Sequence, residues 1–522
     1  MQRNVLSGKI IGFWTGLFLF ALFLVLPSPE GLSPTGMRMA AIAALMAVWW
    51  LSEATHIAVT ALLPIALFPL LGIMKSQDAT LSYANHLVFL YIGGFIIALA
   101  MERWDLHKRI ALLTIRRIGT RPDRLVLGFM VTTAFLSMWI SNTATTMMFL
   151  PVTMAVVNQL ASAATVDGFS PSEAPALVRR NFGSILLLGV AYAASIGGVG
   201  TIIGTPTNVA FLGFVSQRFP ELPPISFLDW LLIGMPLVLV FLPIAWFYLC
   251  RFGGEFSVSR IRFSTSASVI DDELAALGPM KPEEKRVLIV ACTTALLWIF
   301  REDIRLGDFA LPGWSALTPH SALIHDATVA MALAIVLCVW PARRKPSSNA
   351  GTPEGQAEEQ QFLIDWPTIQ HGIPWGVVFL FGGGFALAQG LETSGLAAWI
   401  GSAIGALRGL PVWILFPVSC LFAVSMTEMT SNVATVLMIA PILAEASVQL
   451  GVHPYLLMIP ATIIASFAFM LPVATPPNAI VFSSGWITIP RMFRAGMALD
   501  LIALAVIPTM VYVLGRLVLG IG

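Results

Sequence analysis

Apolar runs long enough to cross a bilayer recur along nearly the whole chain, and they fix the solvent in which it folds. A bilayer core is crossed by roughly 20 apolar residues in helical form. Eleven segments fit approximately: 10–27, 36–51, 55–73, 86–102, 183–216, 230–250, 287–300, 325–341, 374–392, 456–484 and 494–519. Of 522 residues, 57% are hydrophobic and 11% charged; an ordinary soluble domain carries roughly 25% charged residues. The expected fold class is an all-α polytopic membrane protein with the lipid bilayer around it. A net formal charge of +1 provides no basic face, so nucleic acid is not an expected partner. Cys250, Cys292, Cys338 and Cys420 form no CxxC pair or metal-ligand spacing and read as small buried side chains. The basic start, Arg3 and Lys9, followed by Ile10 to Leu26, imitates a signal peptide. However, "PSPEGLSPTG" lacks a clear small-residue cleavage site, so the stretch reads as a retained first helix.

Two further apolar segments, 125–160 and 411–450, are too long for one span. Each carries a polar tip near its middle, "SNTATTMMFLP" (141–151) and "SNVATVLMIAP" (431–441). Each is either two crossings or one re-entrant hairpin. Arg103, Lys108, Arg109, Arg116, Arg117, Arg121 and Arg124 precede the first segment and Arg179 and Arg180 follow it, so both flanks are expected to be cytoplasmic. Both topologies satisfy that rule, and length decides between them. Leu125 to Met138 is about 14 residues or about 21 Å of helix, short of the roughly 30 Å core. Two re-entrant hairpins are therefore expected beside about 11 transmembrane helices. Threading from a cytoplasmic N-terminus puts loops 251–286 and 341–346 inside and loops 28–35, 73–85, 217–229 and 442–455 outside, with the C-terminus outside. The polar stretch "ARRKPSSNAGTPEGQAEEQQF" (342–362) reads as a linker between two halves.

Those halves repeat one another. At an offset of 290, "VFLYIGGFIIALAMERWDL" (88–106) aligns with "VFLFGGGFALAQGLETSGL" (378–396) at nine of nineteen identical positions, including Gly93/Gly383, Gly94/Gly384 and Glu102/Glu392. The same offset carries Ser141-Asn142 onto Ser431-Asn432 and Pro151 onto Pro441, and "GTPTN" (204–208) recurs as "ATPPN" (474–478) at an offset of 270. Threading runs helix 86–102 inward and helix 374–392 outward, an inverted-topology repeat. Such repeats in secondary transporters place substrate and ion sites near the midplane, on broken helices.

The tips supply suitable chemistry. Ser, Asn and Thr cap helix N-termini, and a helix beginning inside the membrane directs unpaired N–H groups and its positive dipole end outward. Gly and Pro interrupt "SIGGVGTIIGTPTN" (195–208) and "FMLPVATPPN" (469–478), freeing carbonyls of the kind that coordinate Na⁺. No Lys or Arg occurs in 125–178, 181–217 or 411–490. Positive charge for a bound anion must then come from helix ends and cations, which points to a Na⁺-driven anion transporter. A single tip would read as a helix cap; two tips with two interrupted partners favour the site. Glu53, His56, His325 and Asp326 read as ordinary capping, and Glu102 and Glu392 as structural polar contacts. Glu428 is balanced between a structural role and tuning of cation affinity or proton carriage.

At these residues the chain resembles the divalent anion:sodium symporter family, which includes di- and tricarboxylate and sulfate transporters. The resemblance rests on Ser141-Asn142-Thr143 and Ser431-Asn432-Val433 joined to "GTPTN" and "ATPPN". It implies a homodimer in the cell (inner) membrane, with scaffold and transport domains that move as an elevator. One Na⁺ would meet Ser137, Ser141, Asn142 and backbone from Gly198 to Gly200, and a second Thr427, Thr430, Asn432 and Ala474. Substrate carboxylates would meet Ser141, Asn142, Thr143, Ser431, Asn432, Thr205 and Thr475, with Val433 and Pro476 shaping specificity. Val433 removes a hydroxyl that the family pattern has. No cofactor is implied beyond Na⁺ as coupling ion.

The same resemblance divides the chain into scaffold helices in 1–85 and 287–341 and a first transport half in 86–216. A connecting helix follows in 217–250, a cytoplasmic loop in 251–286 and a linker in 342–373. A second repeat half occupies 374–484 and a last helix 485–522. The leading expectation is Na⁺-coupled uptake of succinate, malate or fumarate. Citrate or sulfate symport and dicarboxylate exchange are the alternatives within the class. A cation/proton antiporter would need titrating carboxylates at the midplane, where only Glu428 comes near. An intramembrane enzyme would need a Ser/His or paired-Asp set, and no His falls in the tips or interrupted segments.

Overall fold

A computed structural model of the chain describes residues 2–119, 121–162, 164–263, 268–306, 309–342, 361–404 and 412–521. The described residues are nearly all helical. The chain opens with α1 (Gln2–Val25), α2 (Pro34–Ser52), α3 (Ile57–Ala61), α4 (Leu63–Leu70), α5 (Ser76–Leu81) and α6 (His86–Arg103). Local caps set these starts: Gly36 N donates to Ser33 Oγ at 2.9 Å ahead of α2, and Leu87 N to Asn85 Oδ1 at 2.9 Å ahead of α6. Next come α7 (Leu106–Ile118), α8 (Pro122–Ser137), α9 (Asn142–Ser162), α10 (Ala174–Val178), α11 (Ser184–Gly198), α12 (Pro206–Arg218) and α13 (Phe227–Phe252). The middle holds α14 (Ser268–Leu277), α15 (Pro282–Ile299), α16 (Asp326–Val339) and α17 (Trp366–Gly372). The second half is α18 (Trp375–Thr393), α19 (Leu396–Ile404), α20 (Val412–Thr427), α21 (Asn432–Leu450), α22 (Pro454–Ala465), α23 (Pro476–Phe482) and α24 (Ile489–Leu519).

Three two-stranded antiparallel ribbons join loops: Ala164–Val166 with Ile261–Phe263, Ile304–Leu306 with Phe309–Leu311, and Pro341–Ala342 with Gln361–Phe362. Most of the expected linker, 343–360, lies outside the described residues, as does residue 411 at the start of the second hairpin segment.

Among the described residues, nine helices are long and apolar enough to cross a membrane. The chain is thus a polytopic all-α membrane protein. Two of the nine, α9 and α21, belong to the hairpin segments, so among the described residues seven of the eleven expected spans are matched by a helix of full length. Segment 55–73 is the clearest difference. It breaks at Leu62 into α3 and α4, because Pro64 has no N–H to continue the ladder. The result, Ile57–Leu70, extends only about 21 Å at 1.5 Å per residue. α16 has 14 residues and α22 has 12, while 183–216 and 456–484 are broken as anticipated. α8 has 16 residues, about 24 Å, too short for the core. Its partner α9 has 21 and is long enough to cross by length alone.

α11 is buried along its entire length and forms the centre of the packing. Gly197 lies against the Ala134 backbone of α8 with no space for a Cβ, a close approach that only glycine permits. Tyr192 of α11 donates to the Phe469 carbonyl at 3.0 Å and so joins the two halves. α1 stays peripheral, held by a stacked Phe13–Trp49 pair at 5.2 Å. Of the cysteines expected to be buried, Cys420 is buried, Cys250 and Cys338 are half-buried, and Cys292 is exposed. Around a helix bundle in lipid, a thiol needs no protein cover.

Candidate functional site

Each hairpin tip is followed at once by a helix, α9 after Ser141 and α21 after Ser431. Each is preceded by a buried hydroxyl, Ser137 or Thr427. Ser137 Oγ is 2.6 Å from Asn142 Oδ1 and 2.7 Å from the Ala194 carbonyl of α11. Thr427 Oγ1 is 2.9 Å from Asn432 Oδ1 and 2.6 Å from the Ala465 carbonyl of α22. A hydroxyl has one proton and cannot donate to two acceptors at once. The Thr427 cluster therefore carries surplus oxygen lone pairs, the donor set of a hard cation, and the Ser137 cluster does so when the Asn142 oxygen faces Ser137.

The first cluster is the richer. The Asn142 amide stands within 3.3 Å of the Gly204 carbonyl and 3.2 Å of the Ala194 carbonyl. Turned with its nitrogen inward it would donate to those carbonyls and to Ser137 Oγ; turned with its oxygen inward it faces only oxygens. A cation at that point satisfies the second orientation. Gly198 fits beside it because a Cβ there would come 2.7 Å from Asn142 Oδ1.

The two helix breaks have matching internal structure. Asn208 Nδ2 donates to the carbonyls of Gly198 and Thr201 at 3.2 and 2.7 Å. Asn478 Nδ2 donates to those of Ala468 and Leu471 at 2.9 and 3.0 Å. In both residues Oδ1 is buried without a hydrogen-bond partner. Thr207 and Ser466 hydroxyls meet at 2.6 Å and tie one break to the other. Packing crosses over, with α9 against α23 and α21 against α12.

Each tip is also tied to its own break. In the first half Thr201 Oγ1 donates to the Met138 carbonyl at 2.5 Å. In the second, position 138 is matched by Glu428, whose carboxylate accepts from Met470 N at 2.9 Å and Leu471 N at 3.1 Å. Glu428 thus braces the break.

Of the other expected residues, Ser141 Oγ caps α9 by accepting from Ala144 N at 3.2 Å. Thr205 and Thr475 sit at the N-caps of α12 and α23, both buried. Pro476 is exposed, Thr143 half-buried and Val433 buried. Thr430 Oγ1 turns to the Ser431 carbonyl and Thr435 Oγ1, at 3.2 and 3.3 Å, rather than to the Thr427–Asn432 oxygens. Gly200 packs on Met138, and Ala474 is buried with its N–H bonded to the Leu471 carbonyl. Of the residues expected to cap, His56 does so, accepting from Ala58 N at 3.3 Å. Asp326 instead forms a buried ion pair with Arg301 at 2.5 Å and accepts from Phe227 N of α13. Glu53 pairs with Lys9 at 3.2 Å, and His325 Nδ1 is buried without a hydrogen-bond partner.

Two features of the site were not anticipated. The asparagines ending "GTPTN" and "ATPPN" bridge the freed carbonyls, a role that the recurring Asn in both motifs could have signalled. A cavity of about 660 Å³ also opens beside α9, between it and the α6–α7 corner.

A family model, the sodium:sulfate symporter transmembrane region, matches residues 8–521. A sodium-dependent dicarboxylate transporter SdcS of Staphylococcus saprophyticus is 40% identical over 514 residues, 98% of this chain and 93% of that protein. The SdcS of Staphylococcus aureus strain RF122 is 40% identical over 515 residues, 99% of this chain and 93% of its own. Among solved structures, MtrF of Neisseria gonorrhoeae, from a class of antimetabolite efflux pumps, superposes with a TM-score of 0.52 at 12% identity, covering 99% of this chain and 96% of that one. The YdaH transporter of Alcanivorax borkumensis gives 0.50 at 11% identity, covering 84% and 87%. At such identities the two structures speak for the fold alone.

Proposed function

The chain belongs to the sodium:sulfate symporter family, and from that premise we propose that it couples Na⁺ movement to uptake of C4-dicarboxylates such as succinate, malate or fumarate. The observation that carries this reading is the duplicated oxygen cluster, Ser137–Asn142–Ala194 in one half and Thr427–Asn432–Ala465 in the other. Two cation positions, each directly beneath a helix N-terminus, give an anion the positive charge that no Lys or Arg in these segments supplies.

In this reading one Na⁺ sits among Ser137, Ser141, Asn142 and backbone near Gly198 and Gly200. The other sits among Thr427, Thr430, Asn432 and Ala474, and requires Thr430 to turn from its Ser431 and Thr435 contacts. Substrate carboxylates meet Ser141, Asn142, Thr143, Ser431, Asn432, Thr205 and Thr475, bounded by Val433 and Pro476. Coupling follows from the order of charges: without cations the tips hold an anion poorly, and without the anion the cations lack a counter-charge. The hairpins and broken helices move as a block against the remaining helices, in a homodimer of the inner membrane with its N-terminus cytoplasmic.

The test is purified protein in liposomes. Labelled succinate should accumulate when an inward Na⁺ gradient is imposed and should not when K⁺ replaces Na⁺. Accumulation that ignores Na⁺ but needs internal dicarboxylate would replace symport with exchange.

A further inference from the structure

One repeat position, on α21 and α9, is buried in the second half and exposed in the first. Leu437 of α21 is fully buried and lies so close to Gly384 of α18 that a Cβ there has no room. Their counterparts, 290 residues earlier, are Met147 of α9 and Gly94 of α6. Met147 is 55% exposed, and a Cβ at Gly94 would touch Ile203 at 3.3 Å. Met147 faces instead the 660 Å³ cavity, lined by Glu102, Asp105, Lys108, Ala144, Met147 and Ala155 among others.

At the shut end, the positions matching Glu102 and Ala155 are Glu392 and Glu445, and a single cation bridges them. Arg218, the last residue of α12, places one guanidinium nitrogen 3.7 Å from Glu392 of α18 and another 3.4 Å from Glu445 of α21. Glu445 is buried, and its second oxygen accepts from Gln449 Nε2 at 3.2 Å. Parting Arg218 from Glu445 would strand a buried carboxylate. The Glu392 side chain is half-exposed, so water replaces the guanidinium at little cost.

We propose that Arg218 is a further residue of the transport reaction, a latch. Anchored on Glu445 and released at Glu392, it holds α12 and α21 against α18 and keeps the outer route to the tips closed while the inner cavity is open. The latch rests on the transport reading for its purpose. Its existence does not depend on which anion is carried. When the block moves, Glu392 is freed, Leu437 leaves Gly384, and the cavity beside α9 closes.

Accessibility tests this without any transport measurement. In the full-length protein in detergent, with Cys250, Cys292, Cys338 and Cys420 changed to Ala, maleimide should label Met147→Cys far faster than Leu437→Cys. Adding Glu392→Gln or Arg218→Gln should raise the Leu437→Cys rate about fivefold and lower the Met147→Cys rate, the scale expected of a partly hydrated ion pair. Combining Glu392→Gln with Arg218→Gln should add little, and Arg218→Lys should restore most of the original pattern. Unchanged labelling in a folded Glu392→Gln variant overturns the latch, and that half-exposed site carries the test if Arg218→Gln fails to fold. A latch effect in protein that carries no succinate would remove the dicarboxylate reading and leave the latch standing.

Discussion

Ser137 and Thr427, 290 residues apart, make the same pair of contacts: each reaches the Asn five residues on and a carbonyl at the end of a helix preceding a break. Two different side chains have kept only what they share, a hydroxyl at one place. That equivalence ties the proposed coupling-ion positions to the repeat rather than to either half.

Asn142→Ala and Asn432→Ala each remove one oxygen from a cluster. Each should weaken Na⁺-driven succinate uptake by about tenfold or more, the effect of losing about 1.4 kcal/mol of binding. Initial rates against Na⁺ concentration in liposomes check this. The curves should shift to higher Na⁺ and recover partly at saturation, whereas near-normal curves at normal expression would remove the tips from the coupling site.

Within the leading triplets Ser141-Asn142-Thr143 and Ser431-Asn432-Val433, Thr143 against Val433 is the one mismatch. Val433→Thr should tighten succinate binding by about tenfold, and Thr143→Val should weaken it similarly, since a hydrogen bond to a charged group is worth about 1.5–3 kcal/mol. Competition by citrate and sulfate, measured alongside, reports whether this position sets the preference among anions.

Asn208→Ala or Asn478→Ala deletes two hydrogen bonds and strands two carbonyls in a buried break. The expected cost is about 2–4 kcal/mol, read as a lower melting temperature in detergent. Glu428→Gln should act in the same direction more mildly. Its carboxamide offers one acceptor where two backbone N–H groups need two, and an unchanged melt would contradict the bracing role.

Asp365 begins α17 by accepting from Thr368 N at 3.0 Å and Thr368 Oγ1 at 2.6 Å, and from Arg103. Burial raises its carboxyl, but these hydrogen bonds outweigh that and hold it below the usual carboxylate range. A depressed folded value stabilises above the unfolded value of about 3.9 and is lost as pH falls through the folded one. Asp365→Asn should therefore melt below wild type at pH 7, with the difference starting to shrink as pH falls below about 4 and gone only once pH passes the depressed folded value.

What the sequence revealed was written in residues with backbone roles. Ser-Asn tips, Gly/Pro interruptions and the repeat were visible because each dictates how the chain starts or breaks a helix. Pro64 carried the same kind of signal, yet its stretch read as one span because its apolar composition was otherwise continuous. Pairings across the fold were not visible. Arg218 and Glu445 are separated by 227 residues, and nothing local to either names the other. The basic flank 106–118 showed its charge in sequence. That it forms a helix, α7, lying along α8 became visible only in three dimensions.

The unequal packing of Leu437, seated on Gly384, and Met147, exposed at the cavity beside α9, has a thermodynamic consequence. Two related halves hold two different postures at once, so under the latch proposal an exchange of postures would give a second arrangement built largely from the same kinds of contact. Two such arrangements would lie close enough in free energy for the solute gradients across the membrane to decide which way the cycle turns.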